Sequence, residues 1–423
     1  MKLLKTSVIA LALASASSVY ATSIAITNAT VHTVTEQGTL TNATVVIDNG
    51  IITAINPEQL TADQTIDAMG KILTPGLIGS MNQLGLVEVS AVSRTRDGAE
   101  TKADITFDAS AAFNPHSSAI AYSRKGGITT NVVTPRGGDS MFKGQAFVAD
   151  LTGDLDSIVE NQTAVIVDLG SKSKGSRAFE LQKLRHKFED AQKVLDKAKA
   201  KVEKKSDETK NPDKKDKPAK ELKRDEKVIN ALIAGEKPLV AYADRATDLL
   251  ALLALKKDFG LDLVIAGAGD GIRVAKQLAE SNTPVIIGAI NNLPTFDALH
   301  QSLDSAAALI NAGVNVVFSV SGDMHNLYQL RFDAGIAVAN GVTKEHALAA
   351  ITANVADAFN INAGRIAVGK KADLVLWSAD PFELSTKVEK MWIDGAEYKT
   401  TSRHDALRDR YTTKSAMPRA YTK

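Results

Sequence analysis

Short apolar runs punctuated by turn residues fill both ends of the chain. From Ser23 to about Ala68, Ile24 and Ile26 alternate with smaller neighbours, and residues 43–47 and 51–55 flank Asp48-Asn49-Gly50. Period-two alternation on both sides of an Asn-Gly turn predicts paired β-strands. The far end mirrors this, with short strands expected at 373–377 and 388–393 and a turn at Asp394-Gly395. Two β-rich ends around a different middle predict one small β domain built from both termini.

In the middle, apolar runs alternate with stretches of helical periodicity, the pattern of a parallel α/β sheet. The predicted strands are 72–78, 128–133, 145–150, 164–169, 239–243, 263–266, 284–289 and 314–320. Eight is the number a TIM-type barrel needs. Helices fit at 247–258, 271–280 and 295–311, but little chain is left for one between the second and third strands. One stretch breaks the rhythm. Residues 179–201 carry Leu181, Leu184, Phe188, Ala191, Val194 and Leu195 at helical spacing, and 199–227 is a Lys/Asp/Glu run with Pro212 and Pro218. A helical hairpin with a solvated tip is expected there, an insertion at about 171–236. Its mixed charge signs read as a solvated face rather than a docking arm.

Residues 1–21 have the layout of a secretory signal: Lys2 and Lys5, a short apolar run at 7–16, and small residues before Thr22. The run is too short to span a bilayer, and no lipobox cysteine follows. The expected mature chain begins at Thr22, has no membrane span and is periplasmic or secreted.

Composition narrows the chemistry. Of 423 residues, 44% are hydrophobic, enough for a sizeable core. Lys and Arg number 50 against 49 Asp and Glu, so the charge gives no bias toward nucleic acid or anionic membrane. The absence of Cys excludes disulfides, thiolate nucleophiles and Cys-type zinc sites, leaving His, Asp and Glu as metal donors.

Gly267, Gly269 and Gly271 are spaced GxGxG, not GxGxxG, and read as a tight strand-to-helix turn. Arg136-Gly-Gly-Asp-Ser140 reads as a glycine-rich loop over the barrel mouth, with Arg136 placed to reach a substrate carboxylate. His32, His186, His300, His346 and His404 read as surface or packing residues, His300 on a late helix. No nucleophilic-serine elbow or phosphate loop is present.

Three stretches together resemble the amidohydrolase superfamily in its imidazolonepropionase-like branch. They are Gly70-Lys-Ile-Leu-Thr-Pro-Gly-Leu-Ile78; Asn340-Gly-Val-Thr-Lys-Glu-His-Ala-Leu348 with Ile351, Thr352 and Asn354; and Gly369-Lys-Lys-Ala-Asp-Leu-Val-Leu-Trp377 with Asp380-Pro381. The resemblance spans nearly all of the chain after residue 21 except the charged insertion. It implies a TIM-like (β/α)8 barrel at 71–365 and a composite β-sandwich from 22–70 and 366–400.

In the resembled family, divalent metals at the C-terminal strand ends polarise a scissile carbonyl and generate hydroxide, and an aspartate after the last strand shuttles protons. The ligands are imidazoles and carboxylates, but this chain offers few of them. Met81 and Gln83 stand at the two His positions after the first strand, Gly79 at the Asp position, Tyr242 and Asp244 after the fifth strand, and Gly267 after the sixth. Thioether and amide donors hold hard or borderline ions poorly. Asp323 keeps an acid after the eighth strand, with His325 two residues on.

The expectation is therefore a degenerate metal site with no cofactor, the alternative being one divalent ion such as zinc. Asp323 and Asp244 are the candidate catalytic residues, and Tyr242, His325, Gln83 and Arg136 the candidate substrate-binding ones. The resemblance implies a hydrolase of amide or cyclic-amide C–N bonds, and the signal layout adds export. The alternatives are a catalytically inactive ligand-binding protein and a structural subunit. Expected partners are a small molecule in the barrel mouth and either a second copy or a related, active amidohydrolase.

Overall fold

The structure is a computed structural model. It describes residues 23–169, 176–207, 222–288, 295–320 and 324–413. The expected signal segment, the tip of the insertion at 208–221 and Asp323 lie outside these ranges.

Strands from both ends of the sequence share one curled sheet. β1 (Ile24–His32), β2 (Thr39–Asp48), β3 (Ile51–Ile55), β4 (Gln64–Asp67) and β5 (Ile72–Pro75) come from the N-terminal side; β14 (Leu374–Trp377), β15 (Val388–Ile393) and β16 (Ala396–Glu397) come from the other. The order is β16-β15-β14-β5-β1-β2-β3, with β4 added to β1. Its core holds Ile26, Val31, Val45, Ile47, Leu73, Leu374 and Trp392. The two predicted turns meet. A Cβ on Gly395 (φ +75°) would lie 2.8 Å from Gly50 Cα, so neither hairpin tip has room for a side chain.

The second sheet runs β6 (Leu77–Asn82), β7 (Ile128–Val133), β8 (Phe142–Asp150), β9 (Ile158–Asp168), β10 (Leu239–Ala243), β11 (Leu263–Gly267), β12 (Val285–Ile287), β13 (Val316–Phe318), in chain order. Ile78, Val132, Ala146, Ile166, Val240, Val264, Ile286 and Val317 point to one interior, closed from below by Val355 and Phe359. β6 and β13 do not pair. α8 (Lys344–Ala350) and α9 (Ala353–Ala358) fill the seam instead, with the Ile78 N–H donating to Ile351 O and Asn354 Nδ2 donating to Val316 O.

Four expectations need correction. The expected first barrel strand at 72–78 is divided at Gly76: β5 joins the terminal sheet and only β6 opens the barrel. The third strand runs antiparallel to both neighbours. Eight residues between β7 and β8 cannot make a parallel crossover, which needs a dozen or more. The helix expected over 295–311 exists only as α6 (Ser305–Asn311), and the one over 271–280 is a 3₁₀ turn followed by α5 (Ala275–Glu280).

The fourth correction concerns the insertion. α2 (Arg177–Asp207) and α3 (Arg224–Ile233) form the expected helix pair, but Leu184, Phe188, Ile229 and Leu232 lie in the main core. Phe188 packs on Phe259 of α4 (Ala246–Phe259). The base of the pair therefore serves as a barrel helix after β9, and only its far part projects.

α1 (Ser118–Arg124) packs on a 3₁₀ helix, Met324–Gln329, and is stapled to α10 (Arg403–Thr412) by Lys125–Asp405 at 2.8 Å. In α7 (Leu330–Ala339), Arg331 is buried and donates to the carbonyls of Pro381, Glu383 and Thr386 at 2.6–2.8 Å, joining barrel to terminal sheet. Among the described residues, no helix is long and apolar enough to cross a membrane.

Candidate functional site

The barrel mouth is built by residues one step beyond the apolar interior. β9 and β10 are parallel with Asp168 opposite Tyr242. Ile166 and Val240, two residues earlier on each strand, line the interior. Period-two alternation then puts Asp168, Tyr242 and Asp244 on the same inward side, at the C-terminal ends where TIM-barrel chemistry sits. Tyr242 and Met81 cap the apolar interior.

Burial raises Tyr242 well above the usual phenol range, and the nearby charge of Asp168 raises it further. Its hydroxyl is therefore a neutral hydrogen-bond donor. Burial also raises Asp244, offset in part by the Gly269 N–H, which donates to Oδ1 at 3.1 Å; the charges of Asp297, Asp168 and Asp270 push it up again. Among the described residues no cationic side chain pairs with Asp244. A Cβ on Gly267 would lie 2.6 Å from its Oδ1, so the glycine leaves the room that this carboxylate occupies.

Two charge networks surround Asp244. Asp297 accepts from Arg177 at 3.1 Å and Arg245 at 3.2 Å, and Arg177 also reaches Asp248 at 3.3 Å. The first residue of α2 is thus tied to the mouth. Asp270 accepts the Ala246 N–H at the start of α4, and its Oδ1 lies 2.6 Å from His300 Nδ1. His300 Nε2 lies 2.7 Å from Arg273 Nη2. Guanidinium can only donate, so Nε2 accepts and Nδ1–H donates to Asp270. Burial would raise Asp270, but these bonds hold its carboxyl below the usual range.

The other predicted residues are dispersed. Gln83 packs under Gly98, and its Nε2 is buried without a hydrogen-bond partner among the described residues. The Arg136 N–H donates to Gly98 O at 2.7 Å, and a Cβ on Gly138 would lie 2.2 Å from Glu100 O. The glycine-rich loop is thus packed down on 98–101 rather than loose over the mouth, and Arg136 is exposed. His325 is exposed on the 3₁₀ helix after β13.

Sequence reading missed three features. Asp168 ends an apolar strand in the same way as Asp244, so that signal was available. Lys143 is 6% exposed and donates from Nζ to Gly138 O and Ser140 O at 2.8 Å each. A lysine inside the run 141–149 was its only sign. His300 lies on the loop beyond β12, not on a helix, and no local pattern links it to Asp270.

Among the described residues, the side chains at the mouth do not match a divalent ion. Among the described residues no three His, Cys, Asp or Glu side chains are grouped to hold one. Among the described residues, Asp168 and Asp244 are the carboxylates at the inner strand ends, and Asp244 fills the space beside Gly267 where the resemblance places an imidazole. Two carboxylates without imidazole are a poor match for zinc.

A family model described as "Amidohydrolase family" matches residues 254–398. An amidohydrolase from Thermotoga maritima MSB8 superposes with a TM-score of 0.77 at 25% identity, over 88% of this chain and 99% of that one. An atrazine chlorohydrolase from Arthrobacter aurescens TC1, complexed with zinc, gives a TM-score of 0.53 at 16% identity over 88% and 94%. A triazine hydrolase from the genus gives 0.53 at 16% over 92% and 97%. These last two share the fold. No curated protein matches the sequence. An apolar eight-stranded interior with charged strand ends, a sheet from both termini, the family match over 254–398 and the Thermotoga neighbour lead to one assignment: this chain has the amidohydrolase fold and resembles the amidohydrolase superfamily.

Proposed function

We propose that this chain is an exported amidohydrolase-superfamily protein, periplasmic or secreted, that takes an amide or cyclic amide into its barrel mouth and cleaves the C–N bond. The observation that carries this reading is the inward ladder Asp168, Tyr242 and Asp244 at adjacent strand ends. The Tyr242 hydroxyl donates to the amide carbonyl. Water attacks the carbonyl carbon; Asp244, raised by burial, accepts the water's proton at its free oxygen as the C–O bond forms and passes it to the departing nitrogen as the C–N bond breaks. Asp323, which follows the last barrel strand in the sequence, is the second acid of this proposal.

A specific observation favours a second reading, a binding protein without turnover or a subunit of a related active amidohydrolase. Met81, Gln83 and Gly267 offer no imidazole, so the Lewis acid that makes amides labile lacks its ligands. Elemental mass spectrometry of the chain from Thr22 onward, with an amide and lactam hydrolysis panel, separates the readings. Turnover lost in Asp244→Asn supports hydrolysis. Ligand-induced stabilisation without turnover supports the second reading. About one zinc per chain, lost in Asp244→Ala, would overturn the metal-poor mouth.

A further inference from the structure

Away from the mouth, a cleft of about 140 Å³ opens where the terminal sheet meets the barrel. The β1–β2 turn supplies His32, Val34 and Thr39; α8 supplies Lys344, Glu345 and Leu348; the loop after β14 supplies Asp380 and Phe382. We propose that this cleft is a second small-molecule site, for a single six-membered ring bearing an ammonium or amidinium group.

Size sets the first limit. A cavity of about 150 Å³ with apolar walls holds benzene. Here Val34, Leu348 and Phe382 supply apolar wall. Val34 has φ +55°, a left-handed conformation that is a true outlier for a β-branched residue. Such strain is characteristic of ligand clamps.

The polar groups set the charge. His32 Nδ1 lies 2.8 Å from Thr39 Oγ1, leaving Nε2 without a partner among the described residues. Burial lowers His32 against the pull of Asp380 and Glu345, so its ring is neutral near neutral pH, and in the tautomer that donates Nδ1–H to Thr39 Oγ1 the free Nε2 is an acceptor. Asp380 is fully engaged: Oδ1 accepts the Phe382 N–H at 2.9 Å, and Oδ2 pairs with Lys344. Glu345 is exposed and has no ion-pair partner among the described residues. The lining therefore carries one uncompensated negative charge beside one free imidazole nitrogen, which fits a cationic N–H donor on a small ring.

The test uses benzylamine, benzamidine, benzyl alcohol and benzoate against the full chain, by NMR titration of the His32 ring. Dissociation constants on the order of 1 mM suit so small a ligand. Benzylamine and benzamidine should saturate, with the alcohol and benzoate about tenfold weaker. Glu345→Gln, an exposed and fold-neutral change, should weaken benzylamine about fivefold and leave the alcohol alone. Val34→Phe should remove both. Equal affinity for amine and alcohol, amine binding unchanged in Glu345→Gln, or no saturation by any probe would overturn the proposal. None of these readouts depends on catalysis at the mouth.

Discussion

Asp244→Asn should stabilise the protein at neutral pH. The amide keeps the side-chain oxygen that accepts the Gly269 N–H at 3.1 Å, so the local hydrogen bond survives. What disappears is a half-buried negative charge facing Asp297, Asp168 and Asp270. A like charge at 4 Å costs about 1 kcal/mol in water-like surroundings. Arg177 and Arg245 neutralise much of Asp297, and His300 hydrogen-bonds Asp270, so the three do not add in full. The net gain should be about 0.5–2 kcal/mol, the scale on which functional sites give up stability.

The pH dependence fixes the sign. A carboxyl raised in the folded state binds its proton more tightly folded than unfolded. Its cost is absent below the ordinary carboxylate range, grows through the window up to the raised folded value, and stays constant above. Urea unfolding at pH 4 and pH 7.5 should therefore show a larger advantage for Asp244→Asn at pH 7.5. An Asn variant less stable than the parent at pH 7.5 would refute the account of Asp244 as an uncompensated charge.

Other predictions concern the frame around the mouth. Arg331→Met should cost about 3–5 kcal/mol in denaturant unfolding, because three buried carbonyls lose their charged donor; a loss below 1 kcal/mol would refute the staple. Gly395→Ala should cost about 2–4 kcal/mol from left-handed strain and contact with Gly50, read as a lowered melting temperature. Phe188→Ala should cost about 3–5 kcal/mol if the base of the helix pair is barrel core, whereas Val194→Ala, half exposed, should cost under about 0.5. Similar small effects for both would return α2 to a detached arm.

The sequence by itself determined the architecture, because periodicity and turn chemistry are local. The run 239–243 reads as a buried strand by its length and flanking residues, and Asp48-Asn49-Gly50 as a turn. The Asp244 position was legible too, since an acid ending an apolar strand lands at a barrel mouth. The tertiary structure decided what depends on contacts across the chain. It reversed β8, cut the expected first strand at Gly76 and drew the base of α2 into the core, since each outcome rests on which surface a segment meets. It also set the partners of the charges. Asp270 and His300 are thirty residues apart, and Asp168, Tyr242 and Lys143 come from three strands. Nothing in one segment encodes the distance to another. The free oxygen of Asp244 and the space that Gly267 leaves for it emerge only when neighbouring strands fix their register.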